Sequence, residues 1–512
     1  MESICYGTIR KRTVPRADDE PSAAGNPRRK ETHMEATNGD SEKTMQSAQR
    51  HRHTDKVSSP FPELIGKGLR ESWKMMALFL IISMVEGIAF ITTTAPLTMA
   101  DPDMHLPSTY ALATGQSFNI TRAPESHRQY DPRTSEVPSS MPVGGRQLLT
   151  GEARYLQGSV NGAKNALVES INPFDLTRND EYATQCDRLN NLAEGERIIT
   201  TPTRSNQYMF FAYIPQAIGM KFGFLTHANP STCINYARAS NLVCYLLLFL
   251  LAIAVIPTAK GIIALLGMLP LPVFCSSTLM TDGTLFAAVA LFIAVCVRLM
   301  QRERRLNNWQ VAALTVGTCL ICFLKYVYIP IILLPWLACK ALSGKQKVWY
   351  TASTVLVVGA TVLCWQKFFG YNPERVEGLY AYNFNAALHN PFGTTFRILA
   401  NVFLTTFNMV QSNPTLIVCL ILLLIAWMFG QDARIAVPRR TTMQVYTLVG
   451  FIVFATLFLM YIPFLLTWTL PSESLRLDGL QVRYYYPILP LLVIPFIYRY
   501  KTGTKDLVTV HQ

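Results

Sequence analysis

"MMALFLIISMVEGIAFITTTAPL", residues 75–97, is an apolar run with a single charged residue, Glu86, and its reading decides the fold. About 20 such residues make a helix long enough to cross a hydrocarbon core of about 30 Å. Comparable runs recur to the C-terminus, while two polar stretches, 1–74 and 101–207, interrupt them. With 50% hydrophobic and 15% charged residues in 512, and a mean hydropathy of +0.22, the chain is too apolar for a soluble globule. The pattern predicts an all-α polytopic membrane protein.

Working outward, residues 1–74 are rich in Arg, Lys, Ser, Pro, Glu and Asn and lack apolar periodicity. They cannot bury enough surface to offset chain entropy and read as a disordered basic cytoplasmic tail. Its last cations, Lys56, Lys67, Arg70 and Lys74, suit contact with anionic membrane lipids. The late first span argues against a cleaved signal peptide. By the positive-inside bias, a basic tail keeps the N-terminus in the cytoplasm, so Asp101 emerges outside.

Further runs follow at 241–257 and 261–280, where Pro270 and Pro272 predict a kinked or broken helix. The run at 284–299 ends in Arg298, Arg302, Arg304 and Arg305, which belong on the inside. "YMFFAYIPQAIGMKFGFL" (208–225) and "FGTTFRILANVFLTTFNMV" (392–410) read as interfacial helices. Spans at about 309–324, 327–342, 349–368, 414–430, 443–466 and 485–499 complete the reading. It gives about ten transmembrane helices over 75–512, one large extracytoplasmic loop at 101–237, and both termini in the cytoplasm.

The net charge of +13 comes from short basic clusters beside apolar runs, with no RNA-binding motif or zinc-finger spacing. It marks topology, and no nucleic-acid partner is expected. Most of the 11 cysteines sit inside apolar runs as small hydrophobes, including the Cys319 and Cys322 CxxC. Cys186 and Cys233 are the two placed to meet an oxidising compartment and could form a bridge.

Ionisable residues gather at the expected outer mouths. In "ADPDMHLPSTYALATGQ" (100–116), Asp101 and Pro102 suit a helix N-cap and first position. The same helix would put His105 on the face of Asp101, with Asp103 nearby, an arrangement suited to a general base or an ion site. Asp282 in "SSTLMTDGTL" has the same two readings. Lys325 in "FLKYVYIP" either snorkels to the interface or needs a counter-anion. In "LRLDGLQVRYYYPILP" (475–490), Tyr484, Tyr485 and Tyr486 read as an aromatic belt. A belt leaves Arg483 unexplained, and its donor fork matches phosphate oxygens. Glu86 is a further intramembrane carboxyl without an assigned role.

These motifs, in this order, resemble the GT-C superfamily of membrane glycosyltransferases, and more narrowly an uncharacterised bacterial family of predicted membrane proteins with that layout. The narrower family carries an acidic pair, a histidine, "AY" and a glycine after its first span. Asp101, His105, Tyr110 and Gly115 match them, with Pro102 in place of the second acid and Asp103 as its substitute. "YIPQAIGMKFGF", "INYARASNLVCYLLLFLLAI", "LPLPVFCSSTLMTDGTLFAA", "KYVYIPIILLPWL" and "GLQVRYYYPILPLL" are similar to later family segments, so the likeness covers about residues 75–500. The resemblance implies a GT-C-like layout and a sugar donor carried on a polyprenyl phosphate, with inverting transfer to a cell-envelope acceptor outside. Asp101 or Asp103, with His105 beside them, would take the acceptor proton or hold a divalent cation. Asp282, Lys325, Arg483 and Tyr484 would bind substrate. A lipid-linked saccharide flippase and a non-catalytic assembly partner are the alternative readings.

Overall fold

A computed structural model describes residues 61–120, 147–156, 180–191, 197–200, 205–370, 378–429, 435–437, 439–470, 477 and 480–500. Helix α1 spans Phe61–Thr93 and α2 spans Pro102–Ala113. Strand β1 (Leu149–Glu152), helix α3 (Asp180–Asn190) and strand β2 (Arg197–Thr200) follow. Then come α4 (Ile214–Leu225), α5 (Pro230–Val255), α6 (Lys260–Gly267), α7 (Pro270–Ser276), α8 (Asp282–Met300) and α9 (Asn308–Leu324). A 3-10 run, Tyr326–Leu337, leads to α10 (Gly344–Phe368), α11 (Leu379–His389), α12 (Pro391–Gln411), α13 (Pro414–Phe429) and α14 (Arg439–Thr467). The end of the described chain is mostly 3-10, over Val482–Tyr484 and Tyr486–Leu492.

Capping sets the helix starts. The Asn229 side chain accepts from the Thr232 amide at the start of α5, and capping boxes at Asn307 with Gln310 and Ser343 with Gln346 open α9 and α10. The 26 residues of α5 rise roughly 39 Å, enough to cross a bilayer.

Among the described residues, five helices are long and apolar enough to cross a membrane: Ser72–Thr93, Pro230–Val255, Asp282–Met300, Gly344–Phe368 and Thr441–Thr467. A sixth is formed if α12 and the start of α13, bent by 95°, count as one span. The expectation of ten is therefore not met, and proline supplies much of the reason. Residues 261–280 break into α6 and α7 at Pro270, as anticipated. The expected span 327–342 is the 3-10 run instead, with Pro330 and Pro335 inside it. The expected span 485–499 is broken by Pro487 and Pro490, and becomes 3-10 followed by a short turn of helix, Val493–Ile497. With 17 residues, α9 rises only about 25 Å.

The all-α expectation needs a second amendment. β1 and β2 pair antiparallel, with Leu149 opposite Thr200 and Glu152 opposite Arg197, and β3 (Ile435–Val437) pairs parallel with β4 (Tyr498–Tyr500). The tail expected over 1–74 lies mostly outside the described residues, although α1 begins at Phe61, ahead of the apolar run.

From Lys67 onward the chain is one unit. Its main core joins Phe79 and Phe90 of α1 to Tyr245 and Phe249 of α5, Phe286 and Ile293 of α8, and Tyr486. Helix α4 lies along α5 and leaves Ile214, Ile218, Phe222 and Leu225 exposed as an apolar stripe, the face an interfacial helix would turn to lipid. Cys186 and Cys233, which could form a bridge by sequence, are not joined by a disulfide.

Candidate functional site

The site begins where α1 stops. Arg238, fully buried in α5, donates through Nη2 to the Phe90 carbonyl at 2.9 Å and through Nη1 to those of Ile91 at 3.3 Å and Thr94 at 3.2 Å. Nη1 also donates to Asn235 Oδ1 at 3.0 Å, and Nε reaches the Ser277 carbonyl at 2.8 Å. The Phe90 carbonyl also accepts from the Thr94 amide at 3.0 Å, while the other backbone carbonyls lie at the last turn of α1 and the turn after α7, where helical partners run out. One guanidinium thus ties the first span to the break before α8.

The same break is held from two further sides. Asn241 donates to the Thr278 and Met280 carbonyls at 2.9 and 3.0 Å and accepts from the Thr284 hydroxyl at 2.6 Å. Gln216 of α4 donates to the Met280 carbonyl at 3.2 Å. A Cβ on Gly283 would sit 2.6 Å from the Ser276 amide nitrogen, so the return of the chain into α8 needs glycine there. This turn fixes Asp282, the first residue of α8.

Asp101 closes the other side. It takes a left-handed conformation, φ 54°, just before Pro102, and its side chain makes no capping hydrogen bond. Instead its carboxylate accepts from Arg483 Nη2 at 2.6 Å. Arg483 Nε forms an ion pair with Asp282 Oδ2 at 3.3 Å, and Lys325 Nζ donates to Asp282 Oδ1 at 3.0 Å. Two carboxylates and two cations therefore share one buried cluster whose formal charge sums to zero. The capping readings of Asp101 and Asp282 and the snorkelling reading of Lys325 give way to ion pairing, because buried charge without a partner is costly.

Tyrosines and a thioether surround the cluster. The Tyr484 hydroxyl accepts from Arg483 Nη2 at 3.1 Å, and its ring lies 3.7 Å from Lys325 Nζ. Tyr328 anchors that tyrosine by donating to its carbonyl at 2.7 Å, Tyr208 faces Lys325 at 5.6 Å, and Met280 Sδ lies 3.3 Å from Arg483 Nη1. Tyr484, Tyr485 and Tyr486 are all buried, so they form part of the interior and not a membrane-surface belt. Burial works against the Arg483 charge, yet Tyr484, Asp282 and Asp101 outweigh it and hold the guanidinium above its ordinary pKa.

His105 is buried on α2 with Nδ1 at 3.2 Å from the Tyr213 hydroxyl, within electrostatic reach of Asp282. Asp103 occupies the first turn of α2, while the carboxylates on the two cations are those of Asp101 and Asp282. Glu86 is half-buried in α1, and its Oε2 finds no hydrogen-bond partner among the described residues. Five of the seven anticipated residues thus meet in direct contact: Asp101, Asp282, Lys325, Arg483 and Tyr484. Sequence reasoning missed Arg238, Asn241, Gln216, Tyr208, Tyr328 and Met280. Arg238 did carry a signal, since a charge placed next to the 241–257 run is a cost that asks for partners.

Residues 84–492 match the model of a family described as predicted membrane protein, DUF2142. The chain belongs to that family. The matched range holds the whole ionic cluster of this DUF2142 protein, from Asp101 to Arg483, and the family description names a membrane location without an activity. No curated protein and no solved structure matches the chain. A divalent cation fits this DUF2142 site poorly: both carboxylates already face Arg483 or Lys325, whose charges would repel it. Among the described residues no group of three or more His, Cys, Asp or Glu side chains gathers to ligate a metal.

Proposed function

We propose that this protein is a GT-C-like membrane glycosyltransferase that moves a sugar from a polyprenyl-phosphate donor to a cell-envelope acceptor on the extracytoplasmic face. The observation that carries the reading is the Asp101–Arg483 ion pair beside Asp282 and Lys325. Orientation is argued from charge. Helix α8 runs roughly 28 Å from Asp282 to the basic cluster of Arg298, Arg302, Arg304 and Arg305, and the positive-inside bias puts that cluster in the cytoplasm. Asp282 and its partners then face outward.

The balanced charge suggests how a phosphate enters. The Asp282 side chain is 6% exposed, whereas that of Asp101 is 16% exposed, and Asp101 sits on a left-handed backbone, uncommon for a non-glycine residue though one that Asp tolerates. Asp101 is therefore the carboxylate a donor phosphate displaces from Arg483, with Lys325 adding a second cation. Released, Asp101 or its neighbour Asp103 takes the proton of an acceptor hydroxyl as that oxygen bonds the anomeric carbon. The anomeric carbon–oxygen bond to phosphate breaks, its electron pair stays on the phosphate, and Arg483 and Lys325 hold the leaving polyprenyl phosphate. Attack opposite the leaving group inverts the anomeric centre.

The full pairing of both cations also supports a second reading, a non-catalytic assembly partner in which the cluster only holds α2, α8 and the C-terminal segment together. Reconstituted protein supplied with polyprenyl-phosphate hexoses and a cell-envelope extract separates the two. Transfer by the wild type, abolished in Asp101→Asn/Asp103→Asn with normal membrane insertion, supports the enzyme. Transfer retained in the double variant rejects the assigned base.

A further inference from the structure

A cavity lies at the opposite end of α2 from the ionic cluster. Its volume is about 660 Å³, and its walls include Tyr110, Glu152, Tyr155, Arg197, Ile199 and Phe224. That is within the size range of small-molecule sites. Phe224 meets Tyr110 edge-on with ring centroids 5.9 Å apart and Tyr155 edge-on at 5.0 Å, which makes a continuous aromatic wall. Both phenols are pinned, Tyr110 donating to the Thr150 carbonyl at 3.3 Å and Tyr155 to that of Ala228 at 3.2 Å. Gly151 makes the wall possible, because a Cβ there would overlap the Tyr110 hydroxyl. Facing the rings, Glu152 of β1 stands directly opposite Arg197 of β2.

We propose that this cleft binds a neutral oligosaccharide. Aromatic faces cover the apolar C–H surface of a sugar ring, while an adjacent carboxylate and guanidinium accept from and donate to neighbouring hydroxyls. Because Glu152 and Arg197 oppose each other in sign, the wall selects neither an anion nor a cation. Asp101, just ahead of α2, and Tyr110 within it are nine residues apart, roughly 14 Å along the helix axis. The cleft and the ionic cluster thus lie at the two ends of the same helix, on the scale of a short oligosaccharide. The role of acceptor site rests on the transfer reading above; the binding of sugar does not.

Full-length protein in lipid nanodiscs, titrated with fluorescently tagged mannotriose, galactotriose and N-acetylchitotriose, tests it. At least one probe binds the wild type, and Arg197→Gln and Ile199→Trp each weaken that binding tenfold or more while unfolding at the wild-type temperature. Both positions are exposed, so neither change disturbs the core. Absence of binding by all three probes, or equal binding by the two variants, overturns the proposal. Asp101→Asn keeps probe binding. Sugar binding of this kind without any transfer by the wild type leaves the cleft standing and removes the transferase.

Discussion

Asp101 and Arg483, 382 positions apart in the chain, meet in an ion pair of 2.6 Å that joins the first polar turn to the last described segment. The contact brings together a carboxylate expected to act as base and a guanidinium expected to grip phosphate. It also occupies both, so function and stability compete at the same atoms.

Removing one partner leaves the other buried and unpaired, which costs about 3–5 kcal/mol. Arg483→Met should therefore destabilise the protein strongly. Adding Asp101→Asn should recover part of the loss, with a coupling of about 0.5–3 kcal/mol in a double-mutant cycle of detergent unfolding. Strict additivity would show that the pair contributes little.

Arg238→Met should be among the most damaging substitutions in the chain, because it takes the guanidinium away from the carbonyls of Ile91, Thr94 and Ser277. Each unpaired buried carbonyl costs about 1–3 kcal/mol. Arg238→Lys should not rescue it, since one ammonium cannot reach carbonyls on both sides of the guanidinium. Thermal stability by fluorescence-detected gel filtration measures this, and a wild-type midpoint for the lysine variant would contradict it.

Gly283→Ala should push the turn at Ser276 outward and move Asp282 away from Lys325 and Arg483. Overpacking of this kind costs about 1–3 kcal/mol, and under the transferase reading activity should fall further than stability. The check is a comparison of transfer rate with unfolding temperature in the same preparation. Unchanged activity would mean that the position of Asp282 tolerates the shift.

Much of the site was legible from sequence, because an ionisable residue beside an apolar run is conspicuous by its cost. Asp101, Asp282, Lys325 and Arg483 were each identified in that way. Their pairing was not legible, since contact across 382 positions depends on tertiary packing. Local rules also misled: Asp101 before Pro102 has the composition of an N-cap, yet tertiary pairing takes its carboxylate. Pro270 breaks its run as its sequence implies, while Pro330 and Pro335, and Pro487 and Pro490, turn two runs that are apolar enough to span into 3-10 structure. The β1–β2 ribbon carries strands of only four residues in a polar loop, too short for a period-two signal.

The cations of the cluster should govern phosphate affinity in opposite directions from the carboxylate that competes for them. Arg483→Gln should weaken binding of polyprenyl phosphate at least tenfold, whatever the acceptor. A variant that binds as tightly as the wild type would place the phosphate elsewhere.

The most direct measurement of the central claim is the affinity of the Asp101→Asn protein for undecaprenyl phosphate, set beside its transfer activity. If phosphate exchanges with Asp101 on Arg483, removing the competing charge should tighten lipid-phosphate binding several-fold while transfer is lost. Weaker binding by Asp101→Asn, or tighter binding with transfer intact, would contradict the exchange.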